Sequence, residues 1–332
     1  VLEQGPFVPI EDSIMMAIGH CPSFSDQKMT QDEWNNYELI DFGEGRKLER
    51  WGDLLIDRPS PAAESAKRSH PRQWSQAHGY FEKKYGGRGA WKWKRRIADS
   101  WNLRFGSVTV AVGPTPFGHL GLFPEQQGNW KWILRQHEAS QSPLRVLNLF
   151  AYTGASTLFA SRTRSKASPQ EEAASDVVHV DASKSSVAKA RRNATLSQLE
   201  HHPVRWIVDD VLKFCKREIK RGRRYDAIIL DPPTYGHGPK GERWEIENHL
   251  EELLDCCRHL WSGDRGYFLL TCHSDSIDVS MMKQMAASFF QKPQMPTASA
   301  KVESGPMNLI TRDQRRLNSG VFARWTLEAS IS

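Results

Sequence analysis

The sequence is poor in cysteine: Cys21, Cys215, Cys256, Cys257 and Cys272 are the five in 332 residues. None forms a CxxC pair or a zinc-ligand spacing, so neither a disulfide framework nor a metal site is expected, and reduced thiols in a cytoplasmic compartment are. Long apolar runs are also missing, since none approaches the roughly 18–20 residues that cross a bilayer. No membrane partner is expected. The first residues, Val1-Leu2-Glu3-Gln4, have neither the basic nor the apolar part of a secretion signal. The G-x-G-x-x-G fingerprint is absent as well, which disfavours a nicotinamide dinucleotide. What is present is an ordinary globular composition, 39% hydrophobic and 25% charged. That is enough for a sizeable core, and the length suggests about two domains at roughly 100–200 residues each.

The formal net charge of +6 is unevenly placed. Between Lys67 and Arg104 eleven basic residues face two acidic ones, a local +9 that leaves −3 for the rest. Lys83, Arg88 and Lys92 alternate there with Trp91, Trp93 and other aromatics. Basic groups neutralise phosphates and exposed rings stack on unpaired bases, so the stretch reads as a nucleic-acid surface. A solvated basic face whose tryptophans pack inward fits the same residues.

Residues 1–40 show no periodicity and read as a loosely organised segment. From Tyr37 to about Trp132, short runs such as Leu54–Ile56, Val108–Val112 and His119–Phe123 are broken by Gly and Pro, which favours strands and turns. After Pro143, strands expected at Arg145–Phe150, Val177–Val180, Val204–Val208, Tyr225–Leu230 and Tyr267–Thr271 alternate with helices expected at Ala155–Thr163, Lys184–Leu199, Val211–Arg221 and Ile246–Leu260. A helix at Ile277–Phe290 and a strand at Gly320–Trp325 close the chain, and Arg164–Ser175 reads as an exposed loop. Alternation at this spacing argues for a parallel sheet covered on both faces. The expected fold class is therefore α/β, with a small, mostly β, N-terminal domain over residues 1–135 and a doubly wound domain over 136–332.

Ligands of doubly wound sheets bind beyond the carboxyl ends of the strands. The first such end carries Phe150, Tyr152, Thr153, Gly154, Ala155 and Ser156, one permissive glycine opening a helix whose free N–H groups suit a carboxylate. The second ends in Asp181, able to accept bonds from ribose hydroxyls, with Ser183 as a helix cap; the third in Asp210-Val211, where a carboxylate suits an adenine amino group. Capping alone explains either Asp. The fourth, Tyr225–Leu230, delivers Asp231 to the rim, and Pro232-Pro233 then fix the backbone and remove two N–H donors. Such a rim holds the edge of a flipped base, with Tyr235 beside it and Gly236–Gly241 as a mobile basic loop.

At these residues the chain resembles the class I S-adenosylmethionine-dependent methyltransferases, and more narrowly it is similar to the bacterial large-subunit ribosomal RNA cytosine-C5 methyltransferase family. The matching pieces are Asn148–Thr157, Val180–Ser183 with Ala190–Asn193, Asp209–Phe214, Asp226–Pro233, Leu270–Ser274 and Gly121–Gln127. The resemblance implies a Rossmann-like seven-stranded domain, S-adenosyl-L-methionine as cofactor and RNA as partner. It further implies Asp181 on ribose, Asp210 on adenine, and Phe150–Ser156 together with Glu125 around the methionine end. Three departures stand out. Arginines usual near Gln127 and Trp130 are missing, Thr234-Tyr235 follows the prolines where Lys-Phe is usual, and the N-terminal region does not match the PUA domain common in the family.

Carbon 5 of cytosine is a poor nucleophile, so methylating it requires prior addition of a thiolate to carbon 6. Cys272, at the end of the fifth strand beside Asp231, resembles the family's nucleophile; a buried, inert thiol is the other reading. The expected activity is methylation of RNA at cytosine C5. Methylation at a base nitrogen, a small-molecule methyltransferase and a non-catalytic RNA-binding module are the alternatives.

Overall fold

The computed structural model describes residues 36–84, 88–162, 175–263, 265–274, 276–290 and 300–327. Most of the loose segment expected over 1–40, nearly all of the loop expected at 164–175, and the glycines at 86–87 lie outside the described residues. In chain order, β1 (Tyr37–Gly43), β2 (Arg46–Trp51), β3 (Leu54–Pro59), α1 (Pro71–Trp74), β4 (Gly79–Lys83) and β5 (Gly89–Trp93) lead to a hairpin of β6 (Trp101–Phe105) and β7 (Val108–Val112). Then follow α2 (Gln127–Ala139), β8 (Arg145–Leu149), α3 (Ala155–Ser161), β9 (Asp176–Asp181), α4 (Lys184–Leu196), β10 (Val204–Val208), α5 (Val211–Lys220) and β11 (Ala227–Leu230). The chain continues through β12 (Tyr235–His237), β13 (Arg243–Glu245), α6 (Ile246–Leu260), β14 (Gly266–Cys272), α7 (Val279–Phe290), β15 (Ala300–Ile310) and β16 (Arg316–Leu327).

Strands β1 to β5 form one sheet in sequence order, and a seven-stranded sheet has the order β10-β9-β8-β11-β14-β16-β15. Within the larger sheet β10, β9, β8, β11 and β14 are parallel, and β16 is antiparallel to both neighbours. Their apolar runs are buried on both faces, as parallel strands under helices must be. Phe214, Leu253 and Phe289 of α5, α6 and α7 cover one face; Trp130, Phe159 and Ala194 of α2, α3 and α4 cover the other. Val108, Val110 and Val112 of β7 join that second cluster, and the N–H groups of Thr109 and Ala111 donate to Ser197 and Asn193 at 2.9 Å each. One core thus runs from the hairpin into the larger sheet. Residue 135, the expected domain boundary, lies inside α2.

Three expectations change. His119–Phe123 is not a strand: Gly121 adopts φ 92°, and a 3-10 turn at Pro124–Gln126 leads into α2. Of the mobile basic loop expected at Gly236–Gly241, Gly236 and His237 belong to β12, and residues 238–242 connect it to β13 in a hairpin. Strand β15, absent from the sequence reading, pairs with β16 at the sheet edge.

The smaller sheet has an ion pair at its centre. Glu49 accepts from Arg58 Nε at 2.6 Å and Nη2 at 2.9 Å and from Tyr37 at 2.8 Å, with Lys47 at 3.2 Å. Burial pushes its carboxyl up, but the charges of Arg58 and Lys47 outweigh burial and hold it at about 2. Its stabilising contribution is therefore complete above its ordinary 4.5 and lost as pH falls toward about 2. Glu49→Gln leaves Arg58 buried without its anion and should destabilise the fold by about 3–5 kcal/mol, read by urea unfolding at pH 7.

Candidate active site

The turn from β8 to α3 is held in a left-handed conformation at three residues, Phe150 (φ 54°), Tyr152 (φ 47°) and Gly154 (φ 87°). For the two aromatic residues this is strained backbone, and the surroundings enforce it. Tyr152 N–H donates to Asp181 Oδ2 at 2.8 Å, Ala151 N–H to Val180 O at 3.1 Å, and Asn193 Nδ2 to Thr153 O at 2.9 Å. Thr153 Oγ1 donates to Gly121 O at 2.7 Å, tying the turn to the segment before α2. A Cβ on Gly154 would meet that of Ala190 in α4 at 2.8 Å. Phe150, Tyr152, Thr153, Gly154, Ala155, Ser156 and Asp231 line one cavity, with Leu122, Phe123, Gln126 and Trp130 opposite. At the next strand end, Asp181 Oδ1 accepts from Ser183 N–H at 2.8 Å, and Ser183 caps α4. Asp210 caps α5 through Lys213 N–H at 2.9 Å, and Val211 packs into the core.

Asp231, at the end of β11, receives three groups. Thr271 Oγ1 donates to its Oδ1 at 2.6 Å and Gln126 Nε2 to its Oδ2 at 3.1 Å; His273 Nε2 stands 3.4 Å from Oδ1. Burial raises its carboxyl, but the charge of His273 and these bonds outweigh burial and hold it below the usual range. The same pairing acts on His273: burial lowers its imidazole, and Asp231, helped by Glu125, overcomes this and raises it to about 9. The imidazole is thus charged at neutral pH. Pro232 is buried and Pro233 exposed, and Trp244 Nε1 donates to Pro233 O at 2.7 Å, fixing the chain after the proline pair.

Cys272 does not join this group. Successive strand residues face opposite sides, so Thr271 points at Asp231 while Cys272, 1% exposed, enters the core cluster beneath α6 and α7. Burial, with the charge of Asp231, pushes its thiol up to about 11 despite an opposing bond from Ser274 N–H. Only on the order of one thiol in 10⁴ is ionised at pH 7.

A cleft of about 900 Å³ separates the smaller sheet from the strand ends of the larger one. Lys47, Arg58 and Lys83 line one wall, and Phe123, Glu125 and His273 the inner one. Of the expected RNA contacts, Lys83 reaches this cleft; Arg88 and Lys92 are exposed, with Arg88 over the Phe117 ring at 5.8 Å, and Tyr235 is half-exposed beside the proline pair. Trp91 and Trp93, expected as stacking faces, are both partly buried. Their rings stack on each other at 5.2 Å, Phe81 meets Trp91 edge-on, and Gly79 lies against Trp93 so closely that a Cβ there would sit 2.1 Å from the ring. Trp74 is buried as well, donating to Asp41 at 2.8 Å.

No family profile matches the chain. A solved structure, the SAM-dependent methyltransferase from Agrobacterium tumefaciens, is 36% identical over 88% of this chain and 91% of its own, with a TM-score of 0.77. This chain belongs to the S-adenosylmethionine-dependent methyltransferases. Among curated relatives, ribosomal RNA large subunit methyltransferase I of Aeromonas salmonicida is 32% identical over 42% of this chain and 30% of its own length. Ribosomal RNA large subunit methyltransferase K of Neisseria meningitidis serogroup B is 29% identical over 46% of this chain and 41% of its own. The methyltransferase thus spans less than half the length of these two.

The residues present fit the cofactor. Gly154 leaves room where a side chain would close the turn against α4, and each Asp181 oxygen accepts one backbone bond, leaving lone pairs that suit ribose hydroxyls. In this methyltransferase Glu125 and Gln126 divide between two spaces: Gln126 lines the cavity at the β8–α3 turn, whereas Glu125, expected beside the cofactor's methionine end, lines the cleft. Consecutive residues of the 3-10 turn point in different directions, which a linear motif does not reveal. Gln126, Trp130 and His273 are the site residues that sequence reasoning did not single out. Gln126 lay within the matched Gly121–Gln127 segment, and His273 beside Cys272.

No helix among the described residues is long and apolar enough to cross a membrane, and no described cluster of His, Cys, Asp or Glu has the makings of a metal site.

Proposed function

We propose that this methyltransferase modifies a base of large-subunit ribosomal RNA. The observation that carries the reading is the place of Asp231, whose carboxylate borders the cofactor cavity and is paired to His273 at the inner wall of the cleft. A base entering from the cleft meets a carboxylate on one edge, next to the cavity where S-adenosylmethionine presents an electrophilic methyl group. Pro232 and Pro233 add no N–H to that rim, and Asp231 Oδ2, which accepts from Gln126 at 3.1 Å, keeps a lone pair for a base N–H. Lys83, together with the one positive charge left over when Lys47 and Arg58 share Glu49, makes that wall of the cleft basic. The curated relatives named above, both ribosomal RNA methyltransferases, support RNA over a small substrate.

Carbon 5 of cytosine is the target atom that gives Cys272 a role. Its thiolate adds to carbon 6, carbon 5 takes the methyl group, and loss of the carbon 5 proton to a base then expels the thiolate. The burial of Cys272 favours a second reading, attack by a base nitrogen whose lone pair takes the methyl group directly while Asp231 accepts the proton-bearing edge. Cys272→Ala separates the two. With unmodified large-subunit RNA and labelled cofactor, followed by nucleoside mass spectrometry, the carbon 5 route predicts loss of 5-methylcytidine with cofactor affinity intact. Full activity in the variant assigns the methyl group to nitrogen.

A further inference from the structure

Glu125 stands on the inner wall of the cleft with its side chain 7% exposed. Its Oε1 lies 3.7 Å from His273 Nδ1, and that nitrogen is 2.8 Å from Ser319 O, to which it donates. Its Oε2 is buried and, among the described residues, has no hydrogen-bond partner. Leaving a carboxylate oxygen dry and without a donor is unfavourable, so the group is set for a donor that arrives from outside. His273 faces the other oxygen, Oε1, and Arg58 and Lys47 are both engaged by Glu49, at 2.6 Å and 3.2 Å. Beside it, the ring of Phe123 lies 5.7 Å from that of His273 and 5.4 Å from that of His119, an aromatic ledge suited to a flat ligand.

We propose that Glu125 reads the target base, its free oxygen accepting an N–H from an exocyclic amino group while His273, set between Glu125 and Asp231, links recognition in the cleft to the carboxylate beside the cofactor cavity. An exocyclic amino group supplies the N–H that Oε2 lacks, and His273 stands between Glu125 at 3.7 Å and Asp231 at 3.4 Å. Cytosine, adenine and guanine carry such a group and uracil does not. This inference rests on the reading of the cleft as a base-binding site.

The test is equilibrium binding of nucleotide pairs that exchange an amino group for an oxo group or hydrogen, namely CMP with UMP, AMP with IMP, and GMP with IMP. The full chain is used, saturated with S-adenosylhomocysteine. At least one amino-bearing member should bind about 10-fold tighter than its partner, and Glu125→Gln should bring that preference to within about 2-fold while leaving S-adenosylhomocysteine affinity unchanged. Parity in all three pairs, or no binding in any, overturns the inference. So does a loss of S-adenosylhomocysteine affinity in Glu125→Gln, which would assign the carboxylate to the cofactor. If that variant does not fold, Glu125→Asp, which keeps the charge and shortens its reach, is read in the same way. A preference for an amino-bearing nucleotide that Glu125→Gln erases, without methylation of ribosomal RNA, would uphold Glu125 and remove only the RNA reading.

Discussion

Asp231→Asn should lower the rate of methyl transfer on the order of 10²–10⁴-fold, the range lost when a positioned acid–base group is removed. The substitution keeps the shape and removes the charge. Thr271, Gln126 and His273 all converge on that carboxylate at 2.6–3.4 Å. An asparagine in its place offers one acceptor oxygen and turns a donor toward groups that themselves donate. The imidazole of His273 reports the change independently of turnover. In the wild type it titrates near 9, because Asp231 and Glu125 overcome the effect of burial. In Asp231→Asn the larger of those two influences is gone, so the imidazole resonance should titrate well below 9, measured by nuclear magnetic resonance. The pairing is present below the ordinary value of 6.5 and lost as pH rises through about 9, so the variant's deficit in stability should shrink over that interval. An unchanged rate with an unchanged His273 titration would remove Asp231 from the chemistry.

Gly154→Ala should weaken cofactor binding at least 10-fold. Two separate obstacles meet at this position. The backbone holds φ 87°, where a side chain is strained by about 1–2 kcal/mol. A Cβ would also lie 2.8 Å from Ala190 Cβ and 3.3 Å from Ala190 Cα. Neither of those atoms is the far end of a flexible chain, so α3 and α4 must separate or the turn must unwind. Either response displaces Tyr152 N–H from Asp181 and shifts the residues lining the cavity, which places the loss at the binding site rather than in the global fold. Calorimetry with S-adenosylmethionine should show at least a 10-fold weaker affinity, while thermal unfolding shows a transition that is lowered but still cooperative. Wild-type affinity in Gly154→Ala would mean that the cofactor does not use this turn.

The catalytic layer was legible because its signals are local. Strand β11 and Asp231-Pro232-Pro233 form one continuous segment, an apolar run that ends in a carboxylate and two residues unable to donate. Strand β10 and helix α6 have the expected bounds, since β-branched runs and a 3.6-residue stripe need little from the rest of the chain. Helix α2 was hidden because Gln127 and Gly128 open it and its polar and aromatic residues are interspersed; Trp130 and Trp132 make sense only against Phe159 and Tyr267. Strand β15 contains Gly305-Pro306, which reads as a turn, yet an edge strand with a bulge at Pro306 accommodates both. The cleft was illegible for a different reason: Lys47, Glu125, His273 and Ser319 meet only after both sheets have formed. The tryptophans of β5 pack on each other because Gly79, on the neighbouring strand, makes a slot for Trp93.

The most direct measurement supplies the full chain with methyl-labelled S-adenosylmethionine and unmodified large-subunit ribosomal RNA, then maps label by nuclease digestion and nucleoside mass spectrometry. The predicted result is one methylated base at one position, absent when Asp231→Asn replaces the wild type. Absence of label in RNA under conditions where S-adenosylmethionine binds, or equal labelling by Asp231→Asn, would contradict it.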